Sequence, residues 1–254
     1  MPISVVINTF NAEAHLGDVL DAVRDFDEIV VCDMESTDRT AAIANSHGCR
    51  VVTFPKGDCK SAEPARTFAI QSAKSPWVLV VDADEIVPRA LREFLYNHIS
   101  KPDAAAGLYI PRKNYQFGQF LRSSYPDYQL RFFVREGTEW PPYVHTFPNV
   151  RGRLEHIPKN RTDLALIHRP SPMRRIMEKA NDYSDNEVEK RRGQRVTALS
   201  LFFSPLFHFV KSYIVGGGFL NGKAGYISAC NNAWYKFATL VKILESQEER
   251  KGTA

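Results

Sequence analysis

Through the first hundred residues, short unbroken apolar runs alternate with stretches that repeat an apolar side chain every three or four positions. Residues 4–8, 28–32, 50–54 and 77–81 read as buried strands. Residues 14–25, 40–46, 62–73 and 88–99 carry helical spacing, the first through Leu16, Val19, Leu20 and Val23. Ser36-Thr37-Asp38 reads as an N-cap signal, and Pro88 suits a first helical turn because its missing N–H costs nothing there. Continuous apolar strands separated by helices of this length predict an α/β fold with a mostly parallel sheet covered on both faces. In such sheets ligands bind beyond the carboxyl ends of the strands. The residues at those ends are polar: Asn8-Thr9, Asp33 and Asp82-Ala83-Asp84-Glu85.

The pattern changes after residue 100. Residues 107–115 and 128–135 read as strands, and 137–161 as a proline-rich loop region. Residues 173–192 form a polar helix and 197–210 a strongly apolar stretch interrupted by Pro205 and His208. Gly216-Gly217-Gly218 breaks the chain before an amphipathic helix over 226–244. Without repeats or a low-complexity linker, the expected organisation is a catalytic domain over 1–168 and a helical extension over 169–254.

Composition narrows the options. A chain of 254 residues with 44% hydrophobic and 24% charged residues is globular rather than disordered. Cysteines 32, 49, 59 and 230 show no metal-ligand spacing or disulfide framework, which suits a reducing compartment. The start lacks a basic, apolar leader, and no apolar run reaches the roughly 20 residues of a membrane-spanning helix. A cytoplasmic location is expected. Residues 1–168 hold 19 basic and 21 acidic side chains, whereas 169–254 hold 14 and 8, so the net charge of +4 comes from the last third. No nucleic-acid-binding motif accompanies this excess. A basic segment interleaved with aromatics suits an anionic membrane surface, and on this reading peripheral contact through 197–244 at the inner face of the cytoplasmic membrane is expected. Apolar stripes of this kind also serve as helix pairs packed on a domain.

Three acidic side chains crowded after the fourth strand repel one another unless a cation or a helix N-terminus compensates them. Hard oxygen ligands of this type suit Mg²⁺ or Mn²⁺ shared with substrate phosphates. The same residues also fit an acidic turn capping the helix that Pro88 opens.

Several segments in order resemble one family. Val5-Val6-Ile7-Asn8-Thr9-Phe10-Asn11-Ala12-Glu13, Asp27-Glu28-Ile29-Val30-Val31-Cys32-Asp33 with Ser36-Thr37-Asp38-Arg39-Thr40, and Val80-Val81-Asp82-Ala83-Asp84-Glu85 resemble the family 2 glycosyltransferases of GT-A fold. Tyr109-Ile110-Pro111-Arg112-Lys113-Asn114-Tyr115 and Tyr125-Pro126-Asp127-Tyr128-Gln129-Leu130-Arg131-Phe132-Phe133 resemble the branch that contains lipopolysaccharide core glucosyltransferases. The resemblance implies a Rossmann-like sheet and a nucleotide-sugar donor, with a UDP-sugar the commonest in that branch. It also implies a glycan or lipid-linked acceptor and inverting transfer. It places Thr9, Asn11 and Glu13 on the donor loop, Asp33 near the base or ribose, and Arg66 facing the diphosphate. Asp82 would approach the ribose or a metal-bound water, and Asp84 would ligate the metal. His168 stands where many relatives carry a further metal ligand, although a histidine closing an apolar run also fits a structural role. Lys56 and Lys60 lie in the preceding loop, where lysines commonly serve as solvated charges. His145 and His156 carry less information.

One departure concerns the base that must deprotonate the acceptor hydroxyl. The branch commonly reads Val-His-Glu where this chain reads Val144-His145-Thr146, and a threonine hydroxyl is no base near neutral pH. Asp127 is the expected replacement, with Glu139 behind it; an ion pair of Asp127 with Arg131 or Arg122 is the competing role. Two further readings stay open: a catalytically impaired nucleotide-sugar-binding module of a membrane-associated assembly, and a sugar-phosphate nucleotidyltransferase. The second lacks its glycine-rich loop here.

Overall fold

In the computed structural model the described residues are 1–59, 61–143, 146–170, 172–191 and 193–252. The chain forms two compact units, Met1–Lys113 with Pro126–Arg169, and Asn114–Tyr125 with Pro170–Ala254.

The first unit opens with β1 (Ile3–Thr9), α1 (Leu16–Val23), β2 (Glu28–Asp33), α2 (Thr40–Ser46), β3 (Arg50–Thr53), α3 (Glu63–Ser72), β4 (Trp77–Asp82), β5 (Glu85–Ile86), α4 (Arg89–Ile99) and β6 (Gly107–Ile110). The chain continues through β7 (Arg112–Gln116), β8 (Gln119–Phe120), β9 (Gln129–Val134), β10 (Leu154–His156) and β11 (Leu166–His168). The main sheet has the order β10-β6-β9-β4-β1-β2-β3. Its β4-β1-β2-β3 part is parallel, and β9 runs antiparallel to both β4 and β6.

Side chains alternate across this sheet into two separate cores, which is why its strands read as unbroken apolar runs. Val5, Ile7, Leu79, Val81 and Phe132 face the core that contains α1 and α4 residues Leu20 and Leu91. Their neighbours Val6, Val78, Val80 and Phe133 face the core that contains Ala69 and Ile70 of α3 and Trp140. Trp77 stacks on Phe132 with ring centroids 5.0 Å apart, joining β4 to β9.

The segment expected as one strand over 107–115 is two. β6 ends at Ile110, and Pro111, which has no N–H for a ladder, separates it from β7. The Pro111 carbonyl instead accepts the Leu166 N–H at 2.9 Å, bringing β11 alongside.

The second unit contains the β7–β8 hairpin end, where Phe117 and Gly118 have φ of 49° and 73°, as a tight two-residue hairpin turn requires. It also contains α5 (Met173–Lys190), α6 (Ala198–Val210) and α7 (Gly222–Gly252). Thr197 and Ser200 form a reciprocal capping box that starts α6. Pro205 does not interrupt this helix. It continues into a π turn over Lys211–Val215, so Ala198–Val215 is long and apolar enough, by length and composition, to cross a membrane. At 18 residues the span is shorter than the roughly 20-residue apolar run sought in the sequence, and Pro205 and His208 lie inside it without ending the helix. A proline forfeits one intrahelical bond, to the carbonyl of Leu201, and the remaining ladder carries the helix on. Leu199, Phe202, Phe203, Leu206 and Phe207 on α6 are exposed. The glycine triplet makes the turn: Gly217 has φ 71°, and a Cβ on Gly225 would collide with the Gly218 carbonyl, so close approach of α7 to the turn demands glycine.

Candidate active site

Register places the carboxyl ends of three strands side by side, with Thr9 opposite Asp33 and Asn8 opposite both Cys32 and Asp82. Thr9 donates its hydroxyl to Asp33 Oδ1 at 2.9 Å, and Asp33 also accepts the Ser36 hydroxyl at 2.6 Å and the Ser36 N–H at 2.9 Å. Asn11, in the left-handed region at φ 48°, donates its N–H to Ser36 Oγ at 2.9 Å and accepts the Thr37 N–H at 2.9 Å. Glu13 Oε2 accepts both the N–H and the Nε–H of Arg39 at 3.1 Å. The structure therefore brings Thr9, Asn11, Glu13 and Asp33 together as the ties between the loops after β1 and β2. Asp38 completes the arrangement by accepting the Thr40 and Glu13 N–H groups. Asn8 is buried with neither amide atom hydrogen-bonded. Buried Cys32 beside it is inert, its thiol pushed up to about 12 by burial and by the charge of Asp33.

Beyond β4 lies a buried network of charges. Arg66 of α3 donates to Asp82 Oδ1 at 2.8 Å, and Arg131 of β9 pairs with Asp82 Oδ2. Glu85, fully buried, accepts Arg112 Nη1 at 2.9 Å, lies 3.7 Å from Arg131 Nη2 and accepts the Asp82 N–H at 3.1 Å. Arg112 reaches Asp127 Oδ2 with Nε and Nη2, both at 2.9 Å, while Gln129 donates to Asp127 Oδ1 at 3.0 Å. Arg66 and Arg131 also lie over the Trp140 ring, 4.5 and 5.7 Å from its centroid. Three carboxylates thus balance three guanidinium groups, as buried charges require.

Burial alone would raise the Asp82 carboxyl, but Arg131 and Arg66 outweigh it and hold it well below the usual carboxylate range. A depressed folded-state value adds stability that is complete above the unfolded value near 3.8 and is lost as pH falls through the folded one. Asp82→Asn is therefore expected to destabilise the protein at neutral pH. The gap from wild type should narrow progressively below pH 3.8, as measured by urea melts across the acid range. A gap independent of pH would contradict the pairing.

Asp84 and His168, 84 positions apart in the chain, are brought to 3.4 Å between Oδ2 and Nε2. Antiparallel pairing of β5 with β11 sets His168 opposite Glu85, and the Arg169 N–H donates to the Asp84 carbonyl at 2.9 Å. Both side chains keep solvent access, at 32% and 25% relative exposure, so a third party can reach them. A carboxylate oxygen and an imidazole nitrogen form a donor set compatible with Mn²⁺ or Mg²⁺. Among the described residues no group of three Asp, Glu, His or Cys side chains forms a complete metal cage. Two side chains would hold such an ion only together with further oxygen ligands.

The other candidates scatter. Lys56 stands 4.7 Å over the Phe10 ring, His156 stacks on Tyr109 at 4.3 Å, and Glu139 is exposed at an isolated bridge to Asn149. The Thr146 hydroxyl donates to the Tyr143 carbonyl at 2.6 Å. Lys60 and His145 lie outside the described residues. Asp127 pairs with Arg112 rather than with Arg131 or Arg122. Arg112 and Trp140 had no assigned role from sequence. Glu85, expected among the crowded acids of a cation site or helix cap, is instead paired with Arg112, and Arg131, expected as a partner of Asp127, pairs with Asp82. One signal was available: an arginine inside the apolar run Leu130-Arg131-Phe132-Phe133 must find a buried partner.

The mostly parallel sheet flanked by helices, with acidic side chains at its carboxyl rim, has the GT-A fold. Residues 4–171 match the Glycosyl transferase family 2 pattern, and the chain belongs to that family. It is a glycosyltransferase. Over 96% of its length it is 29% identical to the lipopolysaccharide core biosynthesis glycosyltransferase LpsC of Rhizobium meliloti, covering 93% of that protein. It is 22% identical to an uncharacterized glycosyltransferase of Rickettsia conorii, over 98% of this chain and 92% of that one. Among solved structures, the mannosyltransferase PcManGT of Pyrobaculum calidifontis, in complex with GDP-Man and Mn²⁺, shares the fold. Its TM-score is 0.55 at 16% identity, over 95% of this chain and 86% of that one.

Proposed function

We propose that this glycosyltransferase is a metal-dependent inverting enzyme that moves a sugar from a nucleotide-sugar donor, a UDP-sugar, to a glycan or glycolipid acceptor. The relative that acts in lipopolysaccharide core biosynthesis supports a role in lipopolysaccharide or other cell-envelope polysaccharide synthesis. The observation that carries the reading is the Asp84–His168 pair at the rim where the parallel strands end. A bound Mn²⁺ or Mg²⁺ would supply charge to stabilise the leaving diphosphate. Thr9, Asn11, Glu13 and Asp33 give the donor a rigid loop platform. Arg66 and Asp82 stand at its floor, where Arg66 adds positive charge toward the diphosphate. Asp127 receives the acceptor's proton. Peripheral membrane contact through 197–244, at the cytoplasmic face, would bring a lipid-linked acceptor within reach.

A second reading, a nucleotide-sugar-binding module without turnover, is favoured by Thr146 and by the occupation of both Asp127 oxygens by Arg112 and Gln129.

Thermal unfolding with UDP, GDP, CMP and dTDP compounds, with and without Mn²⁺, tests the donor and the metal together, because a ligand of the native state raises the midpoint. UDP should give the largest shift, with a Mn²⁺-dependent component that disappears in Asp84→Ala. An unchanged shift in that variant would remove Asp84 from the metal site.

A further inference from the structure

The second unit holds a cleft of about 470 Å³ among the end of α5, the π turn after α6, and α7. This volume falls within the range of small-molecule sites, roughly 300–1,000 Å³. Arg191, His208, Lys211 and Lys236 line it, with Ser212 and Asn232 joined across it by a 3.1 Å hydrogen bond. Among the described residues Glu187 is the carboxylate in the lining, and it pairs with Arg191 at 2.6 Å. Among the described residues no ion pair takes up Lys211 or Lys236. With His208 neutral, the described lining residues carry a net charge of +2. Gathering cations on three separate segments around one cleft costs repulsion that an anion would relieve.

The consequences show on the side chains themselves. Burial lowers the His208 imidazole below its ordinary value, and Lys236, Lys211 and Arg191 lower it further. Burial also lowers the Lys236 ammonium, as does Arg191, while Glu187 opposes them. Tyr235, also in the lining, is raised by burial and by Glu187. The π turn contributes by placing Lys211, Ser212 and Val215 on the cleft side, and local π geometry often marks a functional site.

We propose that this cleft binds a dianionic phosphate group, held by Lys211, Lys236 and Arg191, with Ser212 and Asn232 offering neutral hydrogen bonds. A phosphate monoester carries about −1.5 to −2 charge at pH 7, which matches the lining. The same dianionic chemistry can arrive as inorganic phosphate or as the monoester headgroup of phosphatidic acid. The site goes beyond the transfer reaction and does not rest on it. UDP-induced stabilisation, read in parallel, can be absent without altering the phosphate result.

Two arms test it on the full chain. Inorganic phosphate is titrated by calorimetry, with the His208 imidazole followed by NMR. Phosphatidylcholine vesicles, with or without phosphatidic acid, are sedimented with the protein. Binding of inorganic phosphate with a rise in the His208 pKa supports the site with free phosphate as its source. Binding confined to phosphatidic acid vesicles, and lost in the variant, supports the site with a lipid headgroup. The Lys211→Gln/Lys236→Gln variant should bind at least about tenfold more weakly, because charge-assisted bonds to the anion are lost. Lys211→Gln alone, at an exposed position, serves if the double variant does not fold. No binding in either arm, or equal binding by the variants and the wild type, overturns the proposal.

Discussion

Glu85→Gln is expected to lower the unfolding midpoint by roughly 6–12 °C, the shift that follows from about 3 kcal/mol in a domain of this size. Glu85 has no exposed surface and holds Arg112 from one side and Arg131 from the other. Glutamine keeps its shape and an acceptor oxygen but removes the charge. Three guanidinium groups would then share two carboxylates, with Arg66 and Arg131 almost wholly shielded from water. Breaking one partner of such a network strands buried charge, which is far costlier than losing an exposed pair. Glu93→Gln supplies the contrast. Its pair with Arg89 spans one helical turn of α4 with side chains 55% and 90% exposed, and such pairs are worth about 0.5 kcal/mol or less. Thermal and urea unfolding of the two variants side by side decides the point. Equal small shifts would mean that water or local movement relieves the stranded arginines.

The same network explains what was readable in the sequence and what was not. The strands β1, β2 and β4 announce themselves because local alternation alone sends Val5 and Ile7 to one core and Val6 to the other. The acidic rim was legible for a related reason: strand ends and ligand edges coincide in parallel sheets. The link between Asp84 and His168 was not a matter of spacing. It depends on β11 returning to pair with β5, which no local pattern encodes, and only the family resemblance pointed to it. Arg66, Arg112 and Arg131 come from α3, β7 and β9, so the charge balance around Asp82 and Glu85 appears only once these elements are packed. Pro111 and Pro205 show the limits of a proline read in isolation. Pro111 ends a strand because a ladder needs its N–H. Pro205 leaves a helix continuous because one lost bond is outweighed by the rest of the ladder.

Asp127→Asn is expected to lower kcat by about 10²–10⁴-fold, the usual contribution of a positioned general base. Its effect on donor binding should be small, because the residue is tied to Arg112 and Gln129 rather than to the loops after β1 and β2. Asp127 sits at φ 35°, a left-handed conformation that aspartate tolerates better than most residues, and asparagine preserves both that preference and the side-chain shape. Asp127 is 26% exposed and Arg112 keeps its pair with Glu85, so losing this charge costs less than losing that of Glu85. The variant should still fold and keep its UDP-dependent stabilisation while turnover falls, a combination that separates a base from a structural acid. The measurement is nucleoside diphosphate release from the donor that stabilises the protein best, in the presence of acceptor extract. If wild type binds that donor tightly and releases nothing, the module without turnover is the correct reading. If wild type turns over and Asp127→Asn matches it within a few-fold, the proton goes elsewhere. Glu139 is then the next carboxylate to replace, since its exposed position beside Trp140 leaves it open to an incoming acceptor.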